Sequence, residues 1–269
     1  MIIKKIIKYI IEAFTRVVIS FLSSINSGRY FIDELNKNIF INKQTIKHKE
    51  LKFNFYVPNR LNYFRVNTFS SKEPETLNWI DTFSKQNVFW DIGANIGLYS
   101  CYAAKRTDAK IYAFEPSVFN LELLAKNIHI NSLADNITII PFPVSDNLNI
   151  KTFYMSSTER GGALSTFGKK ISYDGTSMPN IFKYKTIGMS MDDCIKFLNF
   201  EKPNYIKIDV DGIEHLILKG STNALKSVKS ILVEVNKNFD KQSKDIEKHL
   251  TQSGFKLEQK SYPNQIWRR

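Results

Sequence analysis

The sequence predicts an α/β fold, a mostly parallel β-sheet with helices on both faces, carried behind an N-terminal extension of different character. Two observations point to it. From Asn87 onward short apolar runs alternate with longer helical stretches, and strands that are apolar throughout belong to sheets covered on both faces. Before that point the chain shows an amphipathic helix and one strand of strict alternation, the mark of a half-buried strand. The division is set at residues 1–72 for the extension and 73–269 for the α/β domain. With 43% apolar and 24% charged residues among 269, wholesale disorder is excluded.

At the start, Lys4, Lys8, Glu12, Arg16 and Ser20 recur every four residues, while Ile3, Ile7, Ile10, Phe14, Val17, Val18 and Phe21 fill the rest of the surface. At 3.6 residues per turn this makes an amphipathic helix with a basic polar face. Charges interrupt it, and the charge-free stretch after Arg16 is far short of the ~20 residues of a membrane span. A charge-free core before a small-residue cleavage site, as in a signal peptide, is missing too. Two readings stay open. The apolar face of residues 1–25 packs on the domain or on a second copy in a homodimer, or it lies in a membrane interface as a peripheral contact with lysines toward the head groups.

A second short helix is expected near Tyr30–Leu35. Leu51, Phe53, Phe55 and Val57 then alternate with Lys52, Asn54 and Tyr56 as one strand of a hairpin, ended by Pro58-Asn59. A helical stretch follows over Leu61–Phe69, and Glu73-Pro74-Glu75 starts another over Thr76–Phe83.

The core strands are expected at Val88–Ile92, Lys110–Phe114, Ile137–Val144, Asn204–Val210 and Ile231–Val235. The helices between and after them fall at Ile96–Arg106, Ser117–Asn131, Ile213–Ser227 and Lys241–Ser253. Short strands near Phe255–Leu257 and Gln265–Trp267 close the chain across a Pro263-Asn264 turn. Between the third and fourth strands lies an insertion whose polar, glycine-bearing segment Ser156–Ser165 reads as a lid or acceptor-binding loop, or as an unstructured surface loop. Arg160 is available there for an anionic group, and Phe167 or Tyr173 for a sugar face. Asp192 and Asp193 read as helix-start residues.

Ligands of such sheets bind beyond the carboxyl ends of the strands. The first strand delivers Asp91-Ile92-Gly93-Ala94-Asn95-Ile96-Gly97 straight into a helix. Gly93 permits a tight turn and Gly97 a close approach of the helix start to a ligand. The second strand delivers Glu115, followed by Pro116, about twenty residues after the glycine loop, where an acid accepts both hydroxyls of a ribose. Loop and acid together indicate a nucleoside cofactor. Asn95 stands where a dinucleotide fingerprint has its middle glycine, and Asp91 would repel a pyrophosphate yet suit a cationic amino group. The charges therefore favour S-adenosyl-L-methionine over NAD.

The runs VFWDIGANIGLYS, AFEP, PFPVSD, YIKIDVDGIEHLILKG and ILVEVN, spread over Glu73–Phe255, resemble the FkbM family of S-adenosylmethionine-dependent methyltransferases. The resemblance implies a class I methyltransferase domain, Rossmann-like, with a seven-stranded sheet whose last strand is reversed, and O-methylation of a sugar or polyketide hydroxyl. It implies that Asp91, Gly93, Ala94, Asn95 and Gly97 line the methionine end of the cofactor. Glu115, with Pro116, holds the ribose, and Ser145 and Asp146 face the adenine. Asp211 stands where the family commonly has glutamate.

Transfer to oxygen needs in-line placement and a base for the hydroxyl proton. Lys207 and Asp209 share one face of the fourth strand, an unusual place for charges in a buried strand. Asp209 is the first choice of base, with Glu214 and His215 as alternates. Against this stand a structural Lys207–Asp209 ion pair and a Glu214 that serves only the helix dipole. Asp209, Asp211, Glu214 and Glu234 could form an oxygen-rich divalent metal site, which is not favoured.

Cys101 and Cys194 stand far apart, which excludes a disulfide scaffold and a cysteine zinc site. The four histidines show no i, i+4 pair. The net charge of +12 is spread along the chain, as on a solvated lysine-rich surface. The leading expectation is methylation of a sugar hydroxyl on a glycan or glycolipid acceptor, in the cytoplasm or peripherally at the inner face of a membrane. A nucleic-acid methyltransferase is the rival suggested by the charge. Asp209-Val210-Asp211-Gly212 stands where an Asn-Pro-Pro-Tyr/Phe tetrapeptide for an extruded base would be. A non-catalytic binding or scaffold protein that keeps the fold is the third reading, and a NAD-dependent oxidoreductase the least favoured.

Overall fold

A computed structural model describes residues 2–179 and 181–269. The amphipathic start forms α1 (Ile2–Ser23), and the chain turns into α2 (Asn26–Ile41). At that turn Gly28 lies so close to the Leu22 backbone that a Cβ would overlap the Leu22 carbonyl oxygen. The second helix is longer than Tyr30–Leu35, because Asn36-Lys37-Asn38 interrupts its apolar stripe without carrying a helix breaker. The apolar side of α1 stays uncovered, with Ile3 73% and Phe14 67% exposed. Packing of that face on the domain, one of the expected arrangements, is thus not what the structure contains.

An antiparallel hairpin follows, β1 (Lys43–His48) with β2 (Leu51–Tyr56), in the register Lys43↔Tyr56 to His48↔Leu51. Phe53 and Phe55 of β2 are fully buried. The free edge of β2 is closed by two asparagines of a helix. The Tyr56 N–H donates to Asn127 Oδ1 (2.9 Å), while the Asn54 N–H donates to Asn131 Oδ1 (3.0 Å) and Asn131 Nδ2 donates to the Asn54 carbonyl (2.7 Å). Side-chain amides both donate and accept, as a strand residue does, so they can stand in for a strand partner. Two short helices, α3 (Arg60–Asn67) and α4 (Phe69–Lys72), lead to α5 (Pro74–Asp81). Val66 and Phe69 bury into the same apolar layer as Leu77 and Ile80, so packing is continuous across residues 72 and 73.

The domain then runs β3 (Val88–Ile92), α6 (Leu98–Thr107), β4 (Lys110–Phe114), α7 (Val118–Ile130) and β5 (Ile137–Ile140). After an insertion come α8 (Met191–Leu198), β9 (Tyr205–Ile208), α9 (Glu214–Lys219), β10 (Ser230–Glu234), α10 (Asp240–Gln252), β11 (Lys256–Ser261) and β12 (Asn264–Arg268). The strand order is β11-β12-β10-β9-β3-β4-β5, with β12 antiparallel to both its neighbours. This is the seven-stranded class I methyltransferase sheet with its last strand reversed. Alternate side chains feed two apolar layers: Phe89, Tyr205 and Leu232 on one face, Trp90, Ile206 and Ile231 on the other.

Three elements differ from expectation. The third strand stops at Ile140 because Pro141 and Pro143 remove ladder donors. The helix expected over Ile213–Ser227 is broken at Gly220, where a Cβ would sit 2.7 Å from the Asp146 carbonyl and 2.8 Å from that of Ser145; a 3-10 turn, Ala224–Ser227, follows. The insertion is more than the expected loop, which spans residues 156–164 and joins two strands of it. It forms a three-stranded antiparallel sheet of β6 (Asn149–Met155), β7 (Ser165–Phe167) and β8 (Phe182–Gly188) in the order β7-β6-β8, which packs Phe153, Met155 and Phe167 on Ile213. Asp193 completes a capping box with Ser190 at the start of α8, the helix-start role expected of it.

Candidate active site

The carboxyl ends of β3, β4, β9 and β10 meet at a cavity of about 210 Å³, roofed by Phe153 and Phe167 of the insertion sheet and flanked by Arg65 and Phe69. Gly93 and Gly97 take φ of 91° and 85°, a region that L side chains rarely adopt. The Gly93 and Ala94 N–H groups both donate to the Phe114 carbonyl (3.0 and 2.9 Å), which fastens the glycine loop to the end of β4.

Glu115 completes that junction. Its Oε2 accepts from the Asn95 N–H (2.8 Å) and its Oε1 from the Ser117 N–H (2.7 Å). Burial pushes its carboxyl up to about 8 against those hydrogen bonds. Asn95, itself at φ 52°, sends Nδ2 to the Gly162 carbonyl (2.9 Å) and so ties the loop to the insertion. Gly93, Ala94, Asn95, Glu115 and Pro116 all border the cavity. Asp91 does not; it lies fully buried behind the loop, where Oδ2 accepts from Ser100 Oγ (2.5 Å) and Oδ1 has no partner among the described residues. Gly97 also stands behind the wall, packed on Leu124.

On β9, beside the glycine loop, Lys207 is 1% exposed, and its Nζ donates to Asp209 Oδ2 (2.7 Å) while lying 5.4 Å from the Tyr99 ring centroid. In the sheet Lys207 pairs with Asp91 of β3. Burial alone would lower the Lys207 ammonium, but the charges of Asp209 and Asp91 outweigh it and raise it. Burial would likewise raise Asp209; Lys207 and a hydrogen bond from Glu234 instead hold it below the ordinary carboxylate range. Glu234, at the end of β10, is pushed up to about 10 by the Asp209 charge and by burial. One carboxylate and one carboxylic acid therefore share this wall at neutral pH.

Asp211 holds the roof, its Oδ2 accepting from the N–H groups of Leu164 (2.7 Å) and Ser165 (3.3 Å). Neither alternate base borders this cavity, although Glu214 lines a second one beside it. Glu214 braces the turn after β9 by accepting from the Val210 (3.2 Å) and Gly212 (3.1 Å) N–H groups and from Gln242 Nε2, and burial raises it to about 7. His215 packs edge-on against Phe239 and does not border the cavity. Both sit in the first turn of α9, which directs them under the loop instead of over it.

Ser145 and Asp146 do not border the cavity either; Pro143 and Val144 do. Val144 bridges to Met189, and the Ser145 N–H donates to the Met189 carbonyl (2.8 Å), which carries the following residues away toward Gly220. Arg160 is taken up by Glu122 (3.1 Å) and the Phe40 ring (4.3 Å), so it offers no free cation to a ligand. Phe167 is a buried wall residue, and Tyr173 borders a second cavity. Among the described residues no three His, Cys, Asp or Glu side chains gather so as to hold a metal ion.

Glu234 and Tyr99, which the sequence reading did not assign to this chemistry, both line the cavity. The Tyr99 hydroxyl donates to Glu73 Oε2 (3.0 Å). A charge at the carboxyl end of the fifth strand, beside the fourth, was the available signal for Glu234.

Comparison with known proteins gives one family. The methyltransferase FkbM domain matches residues 91–257. The hexuronic acid methyltransferase AglP of Haloferax volcanii is 32% identical over 181 residues, which is 66% of this chain and 67% of that protein. Among solved structures, the precorrin-6y C5,15-methyltransferase of Geobacter metallireducens is 15% identical, with 73% of this chain and 86% of that one covered at a TM-score of 0.44.

Proposed function

The chain belongs to the FkbM methyltransferase family, and from that premise we propose that it moves the methyl group of S-adenosylmethionine to a sugar hydroxyl of a glycan or glycolipid, with Asp209 as the base. The observation that carries this reading is the meeting of the Gly93–Glu115 junction and the Lys207–Asp209 pair in the lining of one cavity. The donor set fits the cofactor. Glu115 presents acceptor oxygens to ribose hydroxyls, Phe114, Val144 and Phe153 offer an apolar bed for a base, and the Asp209 carboxylate favours a cation. S-adenosylmethionine supplies a methyl group already activated by a sulfonium leaving group. The protein's part is placement, exclusion of water by the insertion sheet, and removal of one proton.

Asp209 is ionised at neutral pH because Lys207 faces it, so it can accept the hydroxyl proton as the oxygen–methyl bond forms and the methyl–sulfur bond breaks. Glu234 already holds its own proton and donates to Asp209, which keeps the two carboxyls from repelling each other. The sugar acceptor is supported by the relative named for hexuronic acid methylation. The test is calorimetric titration with S-adenosylhomocysteine, NAD serving as control, followed by assay of S-adenosylhomocysteine release with sugar acceptors. Micromolar binding of the homocysteine alone is expected, and its absence would sink the reading.

The N-terminal helices favour an anionic membrane surface as the place of action. Phe14, Val17 and Phe21 are exposed on one side of α1 while Lys8 and Arg16 lie on the other, an arrangement suited to the head-group boundary. No described helix is long and apolar enough to cross a membrane. The full chain should float with phosphatidylglycerol vesicles and a chain lacking residues 1–25 should not. A full chain that stays dimeric and unbound would assign the face to a second copy.

A further inference from the structure

A second cavity, of about 350 Å³, opens beside the first and shares Glu234 with it. Its size lies within the roughly 300–1,000 Å³ of small-molecule sites. We propose that this cleft is the acceptor site and that it takes a saccharide with an anionic substituent; the proposal rests on the methyl-transfer reading above.

Position comes first. The turn Asp209–Gly212 separates the two cavities, with Asp209 and Asp211 bordering one and Gly212 the other. Glu234 borders both and stands beside Asp209, one residue beyond the Val233↔Ile208 pair of β10 and β9. A molecule held in the second cavity therefore lies one side chain from Asp209, and neither Glu115 nor the glycine loop lines that cavity, which leaves it to the acceptor.

The lining chemistry comes second. Tyr173 and Tyr262, 45% and 50% exposed, offer aromatic faces. Asn236 and Asn238 add amides: Asn236 Oδ1 accepts from the Asn238 N–H (2.8 Å), and the Asn238 side-chain amide has no hydrogen-bond partner among the described residues. Rigid aromatic faces with amides that donate and accept together suit a ring whose faces carry C–H groups and whose rim carries hydroxyls. Lys237 stands at the same mouth, exposed and without an ion pair among the described residues. A lysine there favours an anionic group on the sugar.

The experiment uses the full chain saturated with S-adenosylhomocysteine and saturation-transfer NMR with two probes, methyl glucuronoside and methyl glucoside. Transfer to the glucuronoside is expected, and Tyr262→Ala or Tyr173→Ala should weaken it by roughly ten-fold. Lys237→Ala should weaken the glucuronoside and leave the glucoside unchanged. All three variants change exposed side chains and should bind S-adenosylhomocysteine as the parent does. Saccharide binding that ignores all three substitutions, or no transfer to either sugar while S-adenosylhomocysteine stays bound, overturns the cleft assignment. Failure of the parent to bind S-adenosylhomocysteine overturns instead the methyl-transfer reading on which it rests.

Discussion

Glu234 and Asp209 stand side by side at the adjoining ends of β10 and β9, where the Asp209 charge pushes the Glu234 carboxyl up, so two carboxyls hold one proton between them. Lys207 decides which oxygen pair keeps the charge, because its ammonium contacts Asp209. The site thus presents an ionised base over a wide pH range. With Asp209 held below its ordinary range and Glu234 raised to about 10, the turnover rate should be flat between about pH 5 and 9, falling below that range as Asp209 takes up a proton and above it as Glu234 ionises. Glu234→Gln keeps a donor toward Asp209 and cannot ionise, so its alkaline fall should vanish. The check is S-adenosylhomocysteine release against pH for both proteins; an unchanged alkaline limb in the variant would remove Glu234 from the pair.

The two partners of the ion pair should separate chemistry from folding. Asp209→Asn keeps the shape and loses the base, so turnover should drop by about 10²–10⁴ while S-adenosylhomocysteine affinity holds. Lys207→Met leaves the carboxyls of Asp91 and Asp209 without their cation in a buried wall, and loss of one partner of such a pair costs about 3–5 kcal/mol. Asp209→Asn breaks the same pair from the other side and leaves Lys207 facing Asp91 alone, so both variants should melt at lower denaturant than the parent. Turnover lost in Asp209→Asn beyond its loss of folded protein assigns the base, and turnover that merely follows the folded fraction would make Asp209 a structural anchor and not the base.

Glu115 is the residue on which nucleoside recognition rests. Glu115→Ala removes the carboxyl that faces the cavity, and above pH 8, where that carboxyl is ionised, it should weaken S-adenosylhomocysteine by about 2–3 kcal/mol, the upper range for hydrogen bonds to a charged group. Calorimetry measures it directly, and an affinity within two-fold of the parent, on the order of 0.4 kcal/mol, would place the ribose elsewhere.

What the residues disclosed, and what they hid, follows from where each signal lives. The bounds Val88–Ile92 and Lys110–Phe114 match their strands because a doubly covered strand is apolar from end to end. Glu115 was legible because its partner, the Gly93 loop, lies at a fixed distance along the chain. Glu234 was not assigned to the base because its meaning comes from the neighbouring strand, and strand order is not written locally. β1 escaped because its sequence KQTIKH is half-exposed along its whole length. The insertion sheet escaped for the same reason, as Lys151, Thr152, Lys183 and Lys185 hide its alternation. Glu214 and His215 read as alternates from their place after β9; Glu214 braces that turn and lines the second cavity, whereas His215 lines neither cavity.

The buried carboxyls also set how the folded chain responds to pH. Asp211, Glu214, Glu115 and Glu234 are raised to about 6, 7, 8 and 10. A group whose pKa is higher in the folded than in the unfolded chain contributes stability that is full below its unfolded value, about 4 for these acids, and is lost as pH rises through the folded value. The ligand-free protein should therefore melt at progressively lower temperature from about pH 5 to 9. Glu115→Ala takes out one of the four groups, so its melting curve should be flatter than the parent's between about pH 4.5 and 8 and parallel to it above. Melting temperatures of both chains across that range decide the matter, and curves that stay parallel throughout would mean that Glu115 is already ionised in the folded protein at neutral pH.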